Sequence, residues 1–190
     1  MIGCMGKTAH QPASYDDILA LPENLVGEII QGVLHTHPHP APRHARVYSS
    51  LGGNLWNPFD KGSGGPGGWW ILDEPELHLG ENVLVPDLAG WRRERMPALP
   101  DTAWFELAPD WVCEILSPAT ARTDRVLKMP LYAQQGVRHL WLVDPDIRTL
   151  EVYSLDAQQH WTLLKTLKDD DPVSQPPFDA ISFDLDSLWA

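Results

Sequence analysis

Asp87, Glu114 and Lys128 are the residues whose types and spacing point to chemistry. Asp87 interrupts an apolar run over 83–91, and Glu114 interrupts a second over 111–116 that ends at Ser117-Pro118. A charged group inside a strand covered on both faces is costly unless it is paired or bound to a cation. Magnesium prefers oxygen ligands in near-octahedral geometry and often takes only one or two carboxylates from the protein, with water and substrate phosphate filling the rest. Asp87 and Glu114, on strands expected to be neighbours, can supply the carboxylates, and the backbone carbonyl of Ile115 offers a further oxygen. Lys128 cannot bind a metal while protonated, but it can orient an attacking water and offset charge growing on a phosphate. The spacing therefore predicts a metal site beside a phosphate. Each residue also has an ordinary role open to it: Asp87 as a turn acid after Pro86, Glu114 as the partner of a buried arginine, Lys128 as an exposed helix lysine. Their joint order, Pro-Asp, then a strand Glu, then a helix Lys, is what favours the chemistry.

The elements that must position these residues follow from pattern. Ser14 with Asp16 and Asp17 predicts a short capped helix ending near Pro22. Residues 26–34 read as a strand or a hairpin turning at Gln31-Gly32, with Glu28 either facing a site or lying exposed. His35, His37 and His39 alternate as a chelate would, yet Pro38 and Pro40 give them the look of an exposed connector, and no neighbouring Cys or His completes a zinc set. Residues 42–56 predict a helix with Val47, Leu51 and Leu55 on one face and Arg43, His44 and Arg46 at its start, where His44 contacts a phosphate or caps a solvated end. The glycine-rich loop 61–68 lacks the Lys-Ser/Thr ending of a phosphate-binding loop. Strands are predicted at 69–72, 76–79, 83–89, 111–116 and 137–143, forming one central sheet. Thr123 or Asp124 should cap a helix running to Gln135, which Pro130 restricts to a regular start near Lys128. Residues 149–155 and 161–167 predict a hairpin, and 181–189 a terminal strand or short helix.

The chain has 190 residues, enough for one domain with a sizeable core, and residues 1–13 read as a flexible tail before a single domain over 14–190. No apolar run reaches membrane-spanning length and no secretory pattern opens the chain, so the cytoplasm is the expected compartment, with no membrane partner. The two cysteines form no disulfide framework. A net charge of −12 argues against a nonspecific nucleic-acid coat protein. Local basic clusters remain, at Arg43 with Arg46, at Arg92, Arg93 and Arg95, and at Arg122, Arg125 and Lys128. A positive groove lined by Arg43, His44, Arg46, Arg92, Arg93 and Arg95 would make DNA a partner.

Val85-Pro86-Asp87, Glu114-Ile115-Leu116-Ser117-Pro118 and Asp124-Arg125-Val126-Leu127-Lys128-Met129-Pro130-Leu131-Tyr132 together resemble the core of the Uma-type putative restriction endonucleases, a bacterial family of the PD-(D/E)xK nuclease superfamily. Gly136-Val137, the run Leu140 to Pro145, and Val26 to Ile30 with Gly32 continue the resemblance over roughly 15–155. It implies an α/β (α+β) fold: a restriction-endonuclease-like mixed β-sheet flanked by helices, with an extra β-hairpin. It also implies a Mg²⁺- or Mn²⁺-dependent DNA endonuclease, with Asp87 and Glu114 as metal carboxylates and Glu28 as a candidate third acid; a homodimer is a further candidate partner, separate from the resemblance. Leu116 stands where the superfamily has its ExK lysine, so that role would pass to Lys128; Gln31 replaces an acid often found in the opening strand. These departures keep open a catalytically degenerate nuclease-fold protein that binds nucleic acid or a partner, and the nine tryptophans allow an interface role.

Overall fold

The computed structural model describes residues 11–189; most of the tail expected over 1–13 lies outside the described residues. In chain order the first elements are α1 (Tyr15–Leu19), β1 (Leu25–Ile30), β2 (Val33–Pro38), α2 (Pro42–Leu55), β3 (Trp69–Asp73), β4 (Leu77–Leu79), β5 (Asn82–Leu84) and β6 (Leu88–Arg92). Then come β7 (Trp111–Ile115), α3 (Ala121–Thr123), α4 (Met129–Gln134), β8 (His139–Asp144), β9 (Thr149–Leu155), β10 (Trp161–Lys168), β11 (Pro172–Val173) and β12 (Phe183–Asp184). A π turn, Trp56–Asp60, extends α2, a second, Asp124–Lys128, joins α3 to α4, and a 3₁₀ turn, Leu185–Leu188, follows β12.

A six-stranded sheet runs in the order β10-β9-β8-β7-β6-β3, and a four-stranded sheet in the order β2-β1-β5-β4. The larger sheet is mixed: β7 and β8 are parallel, and the other pairs are antiparallel. All five residues of β7 are buried, as expected for a strand covered on both faces. Trp111, Cys113 and Ile115 pack with Val47, Leu51 and Leu55 of α2 and with Trp69, Trp141 and Phe178. Val112 and Leu116 join Leu131 and Tyr132 of α4 and, from the smaller sheet, Ile30, Leu77 and Leu84. Gly90 fits a close approach in this packing: a Cβ there would lie 3.2 Å from Ile71 and Trp69 and 3.3 Å from Trp111, so these side chains would have to give by a few tenths of an ångström.

The expected hairpin over 26–34 forms, and its turn residues Gln31 and Gly32 take φ of 52° and 76°, the left-handed pair that a tight two-residue turn needs. Ala13 donates its N–H to the Gly32 carbonyl at 2.9 Å. The expected single central sheet is corrected. Residues 76–79 contribute β4 to the smaller sheet, and the predicted strand over 83–89 is two strands in different sheets, β5 and β6. The break is Val85-Pro86-Asp87. Pro86 has no N–H to give a ladder and restricts Val85 before it; the Val85 N–H goes instead to Glu28 Oε1 at 2.8 Å. The chain thus crosses between sheets at Asp87.

The expected connector at His35–His39 is also corrected, since His35 and His37 belong to β2. Neither Thr123 nor Asp124 caps the helix. Helical structure begins at Ala121, and Asp124 lies inside the run, buried. Pro130 falls at the start of α4, directly after the π turn, where a missing N–H is tolerated.

Candidate active site

The register that pairs Leu88 with Cys113 brings Asp87 next to the Glu114–Ile115 end of β7. The Ile115 N–H donates to Asp87 Oδ2 at 2.6 Å. An extended residue points its N–H and C=O to the same side of the strand, so the Ile115 carbonyl faces the Asp87 side too. His44, one turn into α2, sets Nε2 3.2 Å from Asp87 Oδ1. Burial acts to lower the His44 pKa, but the Asp87 hydrogen bond and charge outweigh it and raise the group above its ordinary value.

Glu114 projects to the side of the sheet that carries the second π turn and α4. Its Oε1 accepts the Tyr132 hydroxyl at 2.6 Å and lies 2.8 Å from Lys128 Nζ. Lys128 also reaches Glu28 Oε1 at 3.0 Å and Asp124 Oδ1 at 3.6 Å. These groups are almost wholly enclosed, with Glu114 2% exposed, Lys128 3% and Tyr132 0%. One ammonium is shared by three carboxylates. The result is a lysine whose pKa stands well above its ordinary value, although burial opposes its charge, because Glu114 and Glu28 favour it. The acids are under-compensated: burial, partly offset by Lys128, raises Glu114 well above the carboxylate range and raises Asp124 as well.

Helix geometry explains the alignment of Asp124, Lys128 and Tyr132. A four-residue step overshoots one α-helical turn of 3.6 residues and falls short of one wider π turn. Asp124 to Lys128 spans the π turn and Lys128 to Tyr132 enters α4, so the two drifts offset and all three face Glu114. Sequence reasoning missed Asp124 and Tyr132 as site residues. Their signal is the i, i+4 series through Lys128, in which Asp124 reads as a helix cap.

A cavity of about 370 Å³ opens above this cluster, lined by Glu28, His44, Asp87, Glu114, Asp124 and Lys128, and also by His35 and His37 of β2 and His39 just beyond it. The three histidines form no chelate: His37 bonds the Pro38 carbonyl and His39 the Glu23 carbonyl. Among the described residues no group of three or more His, Cys, Asp or Glu side chains is arranged to hold a metal. The donors that fit a hard cation are fewer and of one kind: the two carboxylates of Asp87 and Glu114 and the Ile115 carbonyl, in a cavity with surplus negative charge. That is the small oxygen set magnesium takes when water completes its shell.

Of the residues predicted to form a basic groove, the structure brings only His44 into the cavity lining. Arg92, Arg93 and Arg95 cluster around the opposite end of β6, roughly 16 Å from Asp87 at about 3.3 Å per residue. Arg93 binds Asp60 at 2.9 Å and lies over the Trp70 ring, Arg92 lies over Trp69, and Arg95 binds buried Asp110 at 2.8 Å. They brace the sheet end and do not line the cavity. Arg43 is exposed at the start of α2, beside cavity-lining Ala41 and His44, and Arg46 bonds the Ser187 carbonyl. Leu116, at the ExK lysine position, is buried among apolar side chains.

The Uma2 family, described as "Putative restriction endonuclease", matches residues 15–186. A crystal structure of a putative nuclease belonging to DUF820 from Anabaena variabilis ATCC 29413 is similar at 27% identity and a TM-score of 0.73, covering 93% of this chain and 97% of that one. No curated protein matches. With its match running from α1 to the last 3₁₀ turn, through every residue of the buried Glu28–Glu114–Lys128–Tyr132 cluster, this chain belongs to the Uma2 family, described as putative restriction endonucleases.

Proposed function

We propose that the protein is a Mg²⁺- or Mn²⁺-dependent endonuclease that hydrolyses DNA phosphodiester bonds in the cavity above Asp87 and Glu114. The observation that carries this reading is that Asp87, bonded by the Ile115 N–H at the end of β7, and Glu114 line one cavity with the buried Lys128. Asp87, held by the Ile115 N–H and His44, and Glu114, held by Tyr132 and Lys128, would bind the ion together with the Ile115 carbonyl. Such an ion supplies Lewis acidity, lowering the pKa of water and offsetting charge on the departing oxygen. Lys128, fixed beneath Glu114, adds preorganised positive charge where the phosphate becomes more anionic. Glu28 anchors that lysine and the Val85 crossover, so its role is to hold the site together. Arg43 and Arg46, both exposed on α2, would be the cations to meet flanking phosphates. The free, buried Cys113 thiol suits a reducing cytoplasm, and no helix among the described residues is long and apolar enough to cross a membrane.

One observation favours a second reading. Lys128 is locked by carboxylates, and Leu116 supplies no replacement, which suits a protein that binds nucleic acid without cutting it. Incubation with supercoiled and linear DNA in Mg²⁺, Mn²⁺ or chelator separates the two. Metal-dependent nicking is expected; retention of DNA with no cleavage under any metal would leave only the binding reading.

A further inference from the structure

We infer that Tyr132 is a positioning residue for Glu114, fixing which of its two carboxylate oxygens meets the cavity. This rests on the metal role proposed for Glu114. The phenol donates to Oε1 at 2.6 Å, at the short end of O–H···O hydrogen bonds. Lys128 Nζ approaches the same oxygen at 2.8 Å. Tyr132 donates from the buried side, and no hydrogen bond within the described residues reaches Oε2. Glu114 lines the cavity while Tyr132 does not. Oε1 is therefore the anchored oxygen and Oε2 the one presented.

The anchor is rigid for reasons independent of the site. The Tyr132 ring is enclosed by the core that joins α4 to both sheets, with Leu131, Val137 and Leu142 among its members. Lys128 is fixed in turn by Glu28, whose Oε1 also accepts the Val85 N–H. The chain Tyr132–Glu114–Lys128–Glu28–Val85 thus ties α4, β7, the π turn, β1 and the crossover before Asp87 into one hydrogen-bonded frame. The same frame that aims Glu114 sets the position from which Asp87 leaves the crossover. Groups that orient a metal ligand from behind typically change metal affinity or activity by about 10–100-fold when removed.

A purely structural tyrosine would affect stability without affecting the ion. Tyr153 provides the comparison, since its hydroxyl makes an equivalent bond to Glu151 at 2.7 Å on β9, outside the cavity lining. Tyr132→Phe and Tyr153→Phe are compared with wild type for Mn²⁺ affinity by calorimetry and for plasmid nicking, with kcat and KM read separately. Tyr132→Phe should weaken Mn²⁺ binding by about 10-fold or more and lower kcat more than it changes KM for DNA, while Tyr153→Phe leaves both unchanged. Wild-type Mn²⁺ affinity in folded Tyr132→Phe overturns the inference. Wild type that binds no Mn²⁺ overturns the proposed metal role itself, and the inference with it. If Tyr132→Phe does not fold, wild-type protein carrying tyrosine labelled with ¹³C at Cζ decides: Mn²⁺'s diamagnetic substitute Mg²⁺ should shift the Tyr132 resonance and not that of Tyr153, and an unmoved Tyr132 signal overturns the inference.

Discussion

Replacing Lys128 by methionine keeps most of the aliphatic stem and deletes the ammonium. That ammonium lies 2.8 Å from Glu114, 3.0 Å from Glu28 and 3.6 Å from Asp124, and all four side chains are buried. Removing one partner of a buried ion pair costs about 3–5 kcal/mol, a large share of the roughly 5–15 kcal/mol that holds a domain folded. The loss carries a pH signature. Burial already raises Glu114 and Asp124, and Lys128 is the main influence pulling them back; without it both rise further. A carboxyl whose folded pKa lies above its unfolded one contributes stability that is fully present below the unfolded pKa and lost as pH rises through the folded pKa. The deficit of Lys128→Met should therefore be small in acid and widen toward neutrality. Urea unfolding of both proteins across that range measures it. Mg²⁺ or Mn²⁺ should recover part of the deficit, because an ion that binds only the folded state stabilises it by mass action. Metal affinity should survive or tighten, while cleavage falls on the order of 10²–10³, the usual effect of losing one preorganised stabiliser. A variant within about 0.5 kcal/mol of wild type at neutral pH, with no gap opening as pH rises, would refute the shared buried charge.

The acids should behave in the opposite sense. Asp87→Asn and Glu114→Gln should each abolish metal-dependent nicking, yet Glu114→Gln should gain about 0.5–2 kcal/mol in neutral urea unfolding, as happens when a strained functional group is relieved. In salt titrations of DNA binding, Arg43→Ala and Arg46→Ala should each reduce the log–log slope by about 1. Arg93→Ala and Arg95→Ala should leave that slope alone and lower the melting temperature, since their partners are Asp60 and Asp110. Arg125 and the Tyr153 phenol hold Glu151 below its ordinary value of 4.5. The stability it contributes is present above that value and lost as pH falls through the folded pKa, so Glu151→Gln should flatten the acid limb of a melting-temperature profile.

The sequence alone determined the strand that carries Glu114 and the helical run that carries Lys128, because these depend on local pattern. Val112, Cys113 and Ile115 form an apolar run that only a covered strand accommodates, and Gln31-Gly32 is a turn by its own backbone preference. That Asp87 and Glu114 merit attention was legible because acids in apolar runs stand out, and the fold brings both to one cavity. Tertiary structure alone decided the rest. A run of apolar residues over 83–89 does not reveal that Pro86 hands it from one sheet to another, since the pairing partner of each half lies far along the chain. Arginine clusters look alike on paper whether they meet phosphate or, as at Arg93 and Arg95, meet Asp60 and Asp110. Tyr132 reads as core because its ring is core; only the fold shows where its hydroxyl ends. The π turn between Asp124 and Lys128 leaves no distinct pattern, because a hydrogen bond shifted by one residue changes no residue type. Yet that shift, by offsetting the α-helical drift, is what aligns Asp124, Lys128 and Tyr132 on Glu114.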